Sequence, residues 1–309
     1  MSKCKSSCRE SPGPTHRVML CTSTFSPLHI DSRRTLGGGP VGPGDRLGLT
    51  DRALALRSCT EGGRILRAQR PITVLDVARS GALGETSGKG SHTLWSSFST
   101  FEIHGGSKPS TGSAIHYIFF TDSTGPLVLY PKDLLQPCSS TALGLKRGCT
   151  DMDMGLAEGA SSYIAATITE TGGAWPPTTQ TLAEVTPKQP LKLQPPSATA
   201  NGAVSFSYVV LAPTLAGTPW VIFGELDKVV PASPNRFGSL AASGSGLTWE
   251  LSGESEEEVH ISYAQVGKLG EGLKSVTCVL KNQQNQQPTR AGPGAATLSC
   301  KLPTGCTCA

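Results

Sequence analysis

Two segments in the last third of the chain, Leu247-Thr248-Trp249-Glu250-Leu251 and Val259-His260-Ile261-Ser262-Tyr263, alternate apolar and polar positions. A period of two puts successive side chains on opposite faces of an extended strand, so each segment predicts a half-buried antiparallel strand. Trp249 thereby reads as a core residue. Short runs at 203–211, 220–223, 275–280 and 297–301, each bounded by Gly, Pro, Asn or Ser, extend the pattern and predict a β-sandwich. Upstream, strands are expected at 93–98, 114–121 (apolar Ile115, Tyr117 and Phe119), 127–130 and 163–170, spaced as in a meander. Residues 136–155 read as an insertion and 186–200 as a Pro-rich connection, with a boundary near residue 200. No internal repeat is visible.

Helical spacing occurs once, at Leu49, Ala53, Leu54 and Leu56, between a Gly/Pro-rich turn and the stop Glu61-Gly62-Gly63. Arg64-Ile65-Leu66-Arg67 follows as a short expected strand. The chain thus divides into a poorly ordered segment (1–35), a loop, helix and strand unit (36–80), a β-rich region with insertions (81–200) and a C-terminal β-sandwich (201–309). With 36 glycines, 23 prolines and 16% charged residues, composition also favours short strands and turns over long helices. The fold class is mainly β.

A net charge of +4 with scattered basic residues argues against a nucleic-acid groove. The acidic run Glu254, Glu256, Glu257 and Glu258 reads as a solvated turn between strands. No stretch is long and apolar enough for a membrane span, and residues 1–14 lack the apolar centre of a secretory signal. Ten cysteines nevertheless suggest an oxidising, secreted or endomembrane setting, and Cys278 with Cys300, on neighbouring expected strands, would suit a disulfide.

Tests for chemistry are negative. There is no Gly-x-Ser-x-Gly elbow. Gly84-Glu85-Thr86-Ser87-Gly88-Lys89 is one residue short of a phosphate loop and has Gly90 where a hydroxyl belongs. Cys4 with Cys8 and Cys306 with Cys308 lack a zinc site's paired knuckles and read as terminal disulfides or free thiols. Asp151-Met152-Asp153 begins like a calcium loop, but Gly155 comes too early and no Glu completes it. His104 and His116 flank a hairpin-like turn, where converging as ligands and lying separately in surface or hydrogen-bonded positions are both open. No cofactor is expected. A glycosidase needs two carboxylates across a sugar, but the usual eight-unit barrel is absent.

One segment resembles a known family. Gly38-Gly39-Pro40-Val41, Asp45, Gly62-Gly63-Arg64-Ile65-Leu66-Arg67 and Pro71-Ile72-Thr73-Val74-Leu75-Asp76 follow, in order and spacing, the end of the catalytic barrel in raffinose-synthase-like proteins of glycoside hydrolase family 36. Thr93-Leu94-Trp95-Ser96 is similar to the first strand of that family's β domain. The chain departs from the family pattern at Leu47-Gly48-Leu49-Thr50, which replaces a polar, His-containing stretch, and at Gly62, which replaces an Asp. The resemblance implies the end of a (β/α)8 barrel passing into C-terminal β structure. The family's catalytic carboxylates lie upstream of the matched segment. Asp45 would then sit at the sugar-binding mouth; as a turn residue after Pro43-Gly44 it needs no such role.

Three readings follow. The chain is the β domain of a glycosidase-like or galactosyltransferase-like protein, inactive alone, whose missing barrel partner leaves an apolar face at Leu36–Leu56 uncovered. Or it is a secreted carbohydrate-binding or adhesion module, with sugars stacking on Trp95, Trp175, Trp220 or Trp249. Or it is a structural β-sandwich that assembles symmetrically.

Overall fold

The computed structural model describes residues 35–37, 52–75, 93–104, 111–121, 125–134, 162–169, 180–194, 206–215, 217–243, 246–282, 294–301 and 305–309. These are mainly β. A five-residue helix, α1 (Arg52–Leu56), precedes sixteen strands: β1 (Arg70–Val74), β2 (Thr93–His104), β3 (Thr111–Thr121), β4 (Leu127–Leu129), β5 (Tyr163–Thr169), β6 (Gln180–Val185), β7 (Leu191–Leu193), β8 (Phe206–Pro213), β9 (Trp220–Gly224), β10 (Phe237–Ser243), β11 (Gly246–Gly253), β12 (Glu258–Gln265), β13 (Lys274–Val279), β14 (Lys281–Asn282), β15 (Gly294–Lys301) and β16 (Gly305–Cys308).

A large sheet runs in the order β14-β15-β11-β10-β2-β3-β8-β5-β6, with β16 beside β15. The long strand β2 pairs with β3 along one edge, from Thr93↔Thr121 to Ile103↔Thr111. Its other edge is divided. The first half takes β1 at Trp95, Ser96 and Phe98, and the end takes β10, in parallel, at Ile103 and His104. A second sheet, β13-β12-β9, covers one face of the first, and the pair β4-β7 covers part of the other.

This layering explains why β3, β5 and β8 bury apolar residues on both of their faces. On β8, Phe206, Tyr208, Val210 and Ala212 enter the core under the second sheet, while Val209 and Leu211 enter the core under β4 and β7. All eight β8 residues are buried. Alternation survives where only one face is covered: β11 buries Leu247, Trp249 and Leu251 and leaves Glu250 exposed.

Several expectations are corrected. Arg64–Arg67 makes an isolated bridge, Cys59↔Ile65, instead of a strand. The Pro-rich connection contains β7. The large sheet crosses the boundary expected near residue 200, since β8 pairs with both β3 and β5. The expected Cys278–Cys300 link is replaced by two others, Cys278–Cys308 and Cys300–Cys306. The reason is register: β15 and β16 form a hairpin that sets Cys300 directly opposite Cys306, and Cys308 is left to meet Cys278 on β13. That second bond joins the two sheets. The insertion at 136–155 lies outside the described residues.

A disulfide stabilises mainly by shortening the unfolded chain's freedom, more for longer loops. The Cys278–Cys308 bond spans 30 residues and the Cys300–Cys306 bond six. Cys278→Ser is therefore expected to cost roughly 3–4 kcal/mol in urea unfolding without reductant, and Cys306→Ser about 2 kcal/mol. Alkylation of the thiol freed by Cys278→Ser should label Cys308; labelling of Cys300 would contradict the pairing.

Candidate functional site

Residues 225–236 carry the chain from β9 in the small sheet to β10 in the large one without regular structure. Gly224 opens this loop at φ +86°, a left-handed conformation open to glycine, and a side chain there would overlap the Pro231 carbonyl. Backbone groups removed from water must find partners. The Tyr117 hydroxyl donates to the Ala232 carbonyl at 2.9 Å, and the Tyr208 hydroxyl donates to that of Val229 at 2.7 Å. Val229 N–H donates to the Arg57 carbonyl, and Glu225 N–H to that of Pro231, both at 2.9 Å.

The same loop anchors residues 52–69. Lys228 Nζ donates to the carbonyls of Leu56 (2.8 Å) and Cys59 (3.2 Å), satisfying groups that the end of α1 leaves open. Ser233 Oγ donates to the Arg67 carbonyl at 2.8 Å, and Asn235 Nδ2 to that of Ile65 at 3.0 Å.

Beneath the loop lies a cluster of three ionisable side chains. Arg236 Nε donates to Glu225 Oε2 at 3.0 Å, while Nη1 and Nη2 fork onto the two oxygens of Glu257 at 2.8 and 2.6 Å. Arg236, Glu225 and Glu257 are 0%, 1% and 2% exposed, so no solute reaches them. Glu257 accepts two further bonds, from the N–H groups of Glu61 and Glu254, each at 3.0 Å. One guanidinium balances one carboxylate. Glu257, held by the fork and two amides, keeps its charge, and these bonds hold it down at about 2. Glu225, with a single strong partner, is pushed up to about 7, burial outweighing the attraction of Arg236. The cluster is a structural joint: Glu225 follows β9 and Glu257 precedes β12, both in the small sheet, whereas Arg236 leads into β10 of the large one.

The other candidates fare variously. The acidic run is solvated at Glu256 and Glu258, but Glu257 turns inward to meet Arg236, a partner 21 residues away. His104 is exposed near Glu102, whereas His116 is buried between the rings of Phe98 and Tyr163. Because Phe98↔His116 and Ile103↔Thr111 lie well apart on one ladder, the two histidines do not converge. Trp220 and Trp249 are 2% exposed core residues and offer no sugar platform; Trp95 is half-buried. Asp45, Trp175, Gly84–Lys89, Asp151–Asp153 and the Cys4/Cys8 pair lie outside the described residues. Leu36 is buried in the main core, and its neighbour Thr35 bonds Ser58 through their hydroxyls at 2.8 Å. Among the described residues, no three His, Cys, Asp or Glu side chains are grouped to hold a metal ion, and no helix is long and apolar enough to cross a membrane.

Sequence reasoning passed over Arg236 and Glu225. The signal available for Glu225 was its place one glycine beyond the apolar run Trp220–Phe223; Arg236 has no such local signal.

An accessible feature lies outside the joint. An open groove of about 500 Å³ is lined by Ile65, Arg67, Ala68, Gln69, Pro234 and Asn235. Gln69 Oε1 is engaged by Thr100 N–H at 3.0 Å and by the Thr100 hydroxyl, which leaves the amide Nε2 as the free end; Asn235, donating through Nδ2, keeps its Oδ1 as an acceptor. With the exposed Arg67 guanidinium, the groove offers donors and an acceptor over an apolar floor. No protein-family model matches the chain, and no curated protein matches it at a significant level.

Two outcomes follow from the buried joint. A glutamate usually titrates near 4.5. Between about pH 4.5 and 7 the folded chain holds a proton on Glu225 that the unfolded chain has released, so this contribution is complete below pH 4.5 and lost as pH rises through 7. Glu257 acts oppositely: its contribution is complete above 4.5 and lost as pH falls towards 2. Glu225→Gln should therefore remove a decline on the order of 3 kcal/mol between mildly acid and mildly alkaline pH, read as the difference from wild type in urea unfolding. Separately, a Cβ at Gly253 would overlap Arg236 Nη1 and approach Glu257 Oε2 at 2.5 Å. Gly253→Ala is expected to cost about 3–5 kcal/mol, as breaking a buried ion pair does, against under about 1 kcal/mol for Gly270→Ala, where a side chain meets open space.

Proposed function

We propose that this chain is a disulfide-bonded β-sandwich binding module of an oxidising compartment, and that its ligand is a carbohydrate carrying an acidic group. The observation that carries the reading is the groove between residues 65–69 and 234–235. Its backbone is pinned by the Ser233 and Asn235 bonds, so the polar ends of Arg67, Gln69 and Asn235 project from a fixed frame. A planar guanidinium beside amide groups suits bidentate bonds to a carboxylate or sulfate and to neighbouring hydroxyls, and Pro234 supplies an apolar surface for the face of a sugar ring. Exposed Arg52 and Arg64 add positive charge on the same segment.

This keeps carbohydrate as the ligand class, as the family resemblance implies, and moves it from aromatic platforms to a polar groove. The glycosidase-fragment reading needs an uncovered apolar face at Leu36–Leu56. Residues 38–51 of that face lie outside the described residues; at its ends, Leu36 lies in the sandwich core and Leu56 is half-buried with its carbonyl bound by Lys228. The buried carboxylates Glu225 and Glu257 face Arg236 and are closed to a glycosidic bond.

The test is a glycan array spanning neutral, uronic-acid and sulfated oligosaccharides, followed by titration calorimetry. Acidic glycans should bind with an affinity that falls as salt rises, and Arg67→Gln should weaken them at least about tenfold, the loss of one charge-assisted fork. Binding confined to neutral sugars, or unaffected by Arg67→Gln, would defeat the proposal.

A further inference from the structure

We infer that the space between the two sheets beside Ser113 and Trp220 is an internal hydration site for a single water molecule. Ser113 lies on β3 at the spacing of Ile115, Tyr117 and Phe119, so a hydroxyl takes a position on the apolar face of the large sheet. Trp220 begins β9 in the opposing small sheet. Both residues are 2% exposed, and neither Ser113 Oγ nor Trp220 Nε1 has a hydrogen-bond partner. Both line one cavity of about 20 Å³ whose remaining wall is apolar, including Phe101, Ile115, Leu240 and Trp249.

Size and chemistry select the occupant. A water needs at least about 10–15 Å³ of such space and two to four polar partners, so this volume admits one water and excludes an organic ligand. The indole N–H only donates, and the hydroxyl donates or accepts, so one water can accept from Trp220 and exchange a bond with Ser113. Trp249 Nε1 is no competitor, since it donates to the Gly238 carbonyl at 3.1 Å. Bound in this way, the water links β3 to β9 and satisfies two buried groups whose desolvation would otherwise go uncompensated.

The experiment uses the whole 309-residue chain. Trp220→Phe identifies the Trp220 indole proton among the chain's four tryptophans by the resonance it removes. In wild type, that proton should show a dipolar cross-peak to water with the sign of a long-lived complex, and Ser113→Ala should weaken or abolish it. Ser113→Ala should also raise the unfolding equilibrium constant about fivefold, the usual value of one buried hydrogen bond. An indole resonance without a water cross-peak would overturn the inference. So would an unfolding constant unchanged or lowered by Ser113→Ala, because deleting an unpartnered hydroxyl from a dry cavity relieves a penalty.

Discussion

A single guanidinium shared by two carboxylates sits where the two sheets of this protein exchange chain. Arg236 leads into the large sheet, Glu225 and Glu257 flank adjacent strands of the small one, and all three are closed off from solvent. Burying charge is costly unless each is paired and hydrogen-bonded, and the surrounding chain is arranged to meet that demand. The turn after β11 presents the Glu254 amide to Glu257, and Glu61 presents its own amide from the opposite side. Gly253 has no side chain because Arg236 passes where one would be. The joint therefore fixes the loop at 225–236, and the loop in turn fixes residues 52–69 through Lys228, Ser233 and Asn235.

The same crossing explains the distribution of burial. Strands β3, β8 and β5 are consecutive in the large sheet and have layers on both faces, so each buries apolar side chains on both sides. Strands β11, β12 and β15 have one covered face and keep the alternating pattern. Where the sheets part, the Cys278–Cys308 bond holds them together covalently, as the Arg236 cluster does electrostatically. The small sheet has three strands, so these ties limit its movement over the larger one.

Function divides along the same line. The carboxylates of Glu225 and Glu257 are consumed in the joint, while Arg67, Gln69 and Asn235 line the open groove. The groove inherits its rigidity from the loop, whose bonds to the carbonyls of Ile65 and Arg67 form the groove's frame. The proposed binding role would rest on the same interactions as the stability of the fold.

What the amino-acid sequence determined by itself was the β class and the strands whose signal is local. The alternation at 247–251 and 259–263, the core position of Trp249 and the helical turn at 52–56 are all properties of neighbouring residues, visible without knowing what packs against them. Strand β10, Phe-Gly-Ser-Leu-Ala-Ala-Ser, was illegible because its small residues carry no strand preference, and it exists because β2 and β11 flank it. Glu257 read as one more solvated acid in a charged turn until the fold brought Arg236 to it. The cysteine partners were likewise undecidable, since every pairing satisfies the count and only the β15–β16 register selects one. Tertiary structure alone decided which charges are buried and which polar groups face solvent, because burial depends on residues distant in sequence and no local pattern records them.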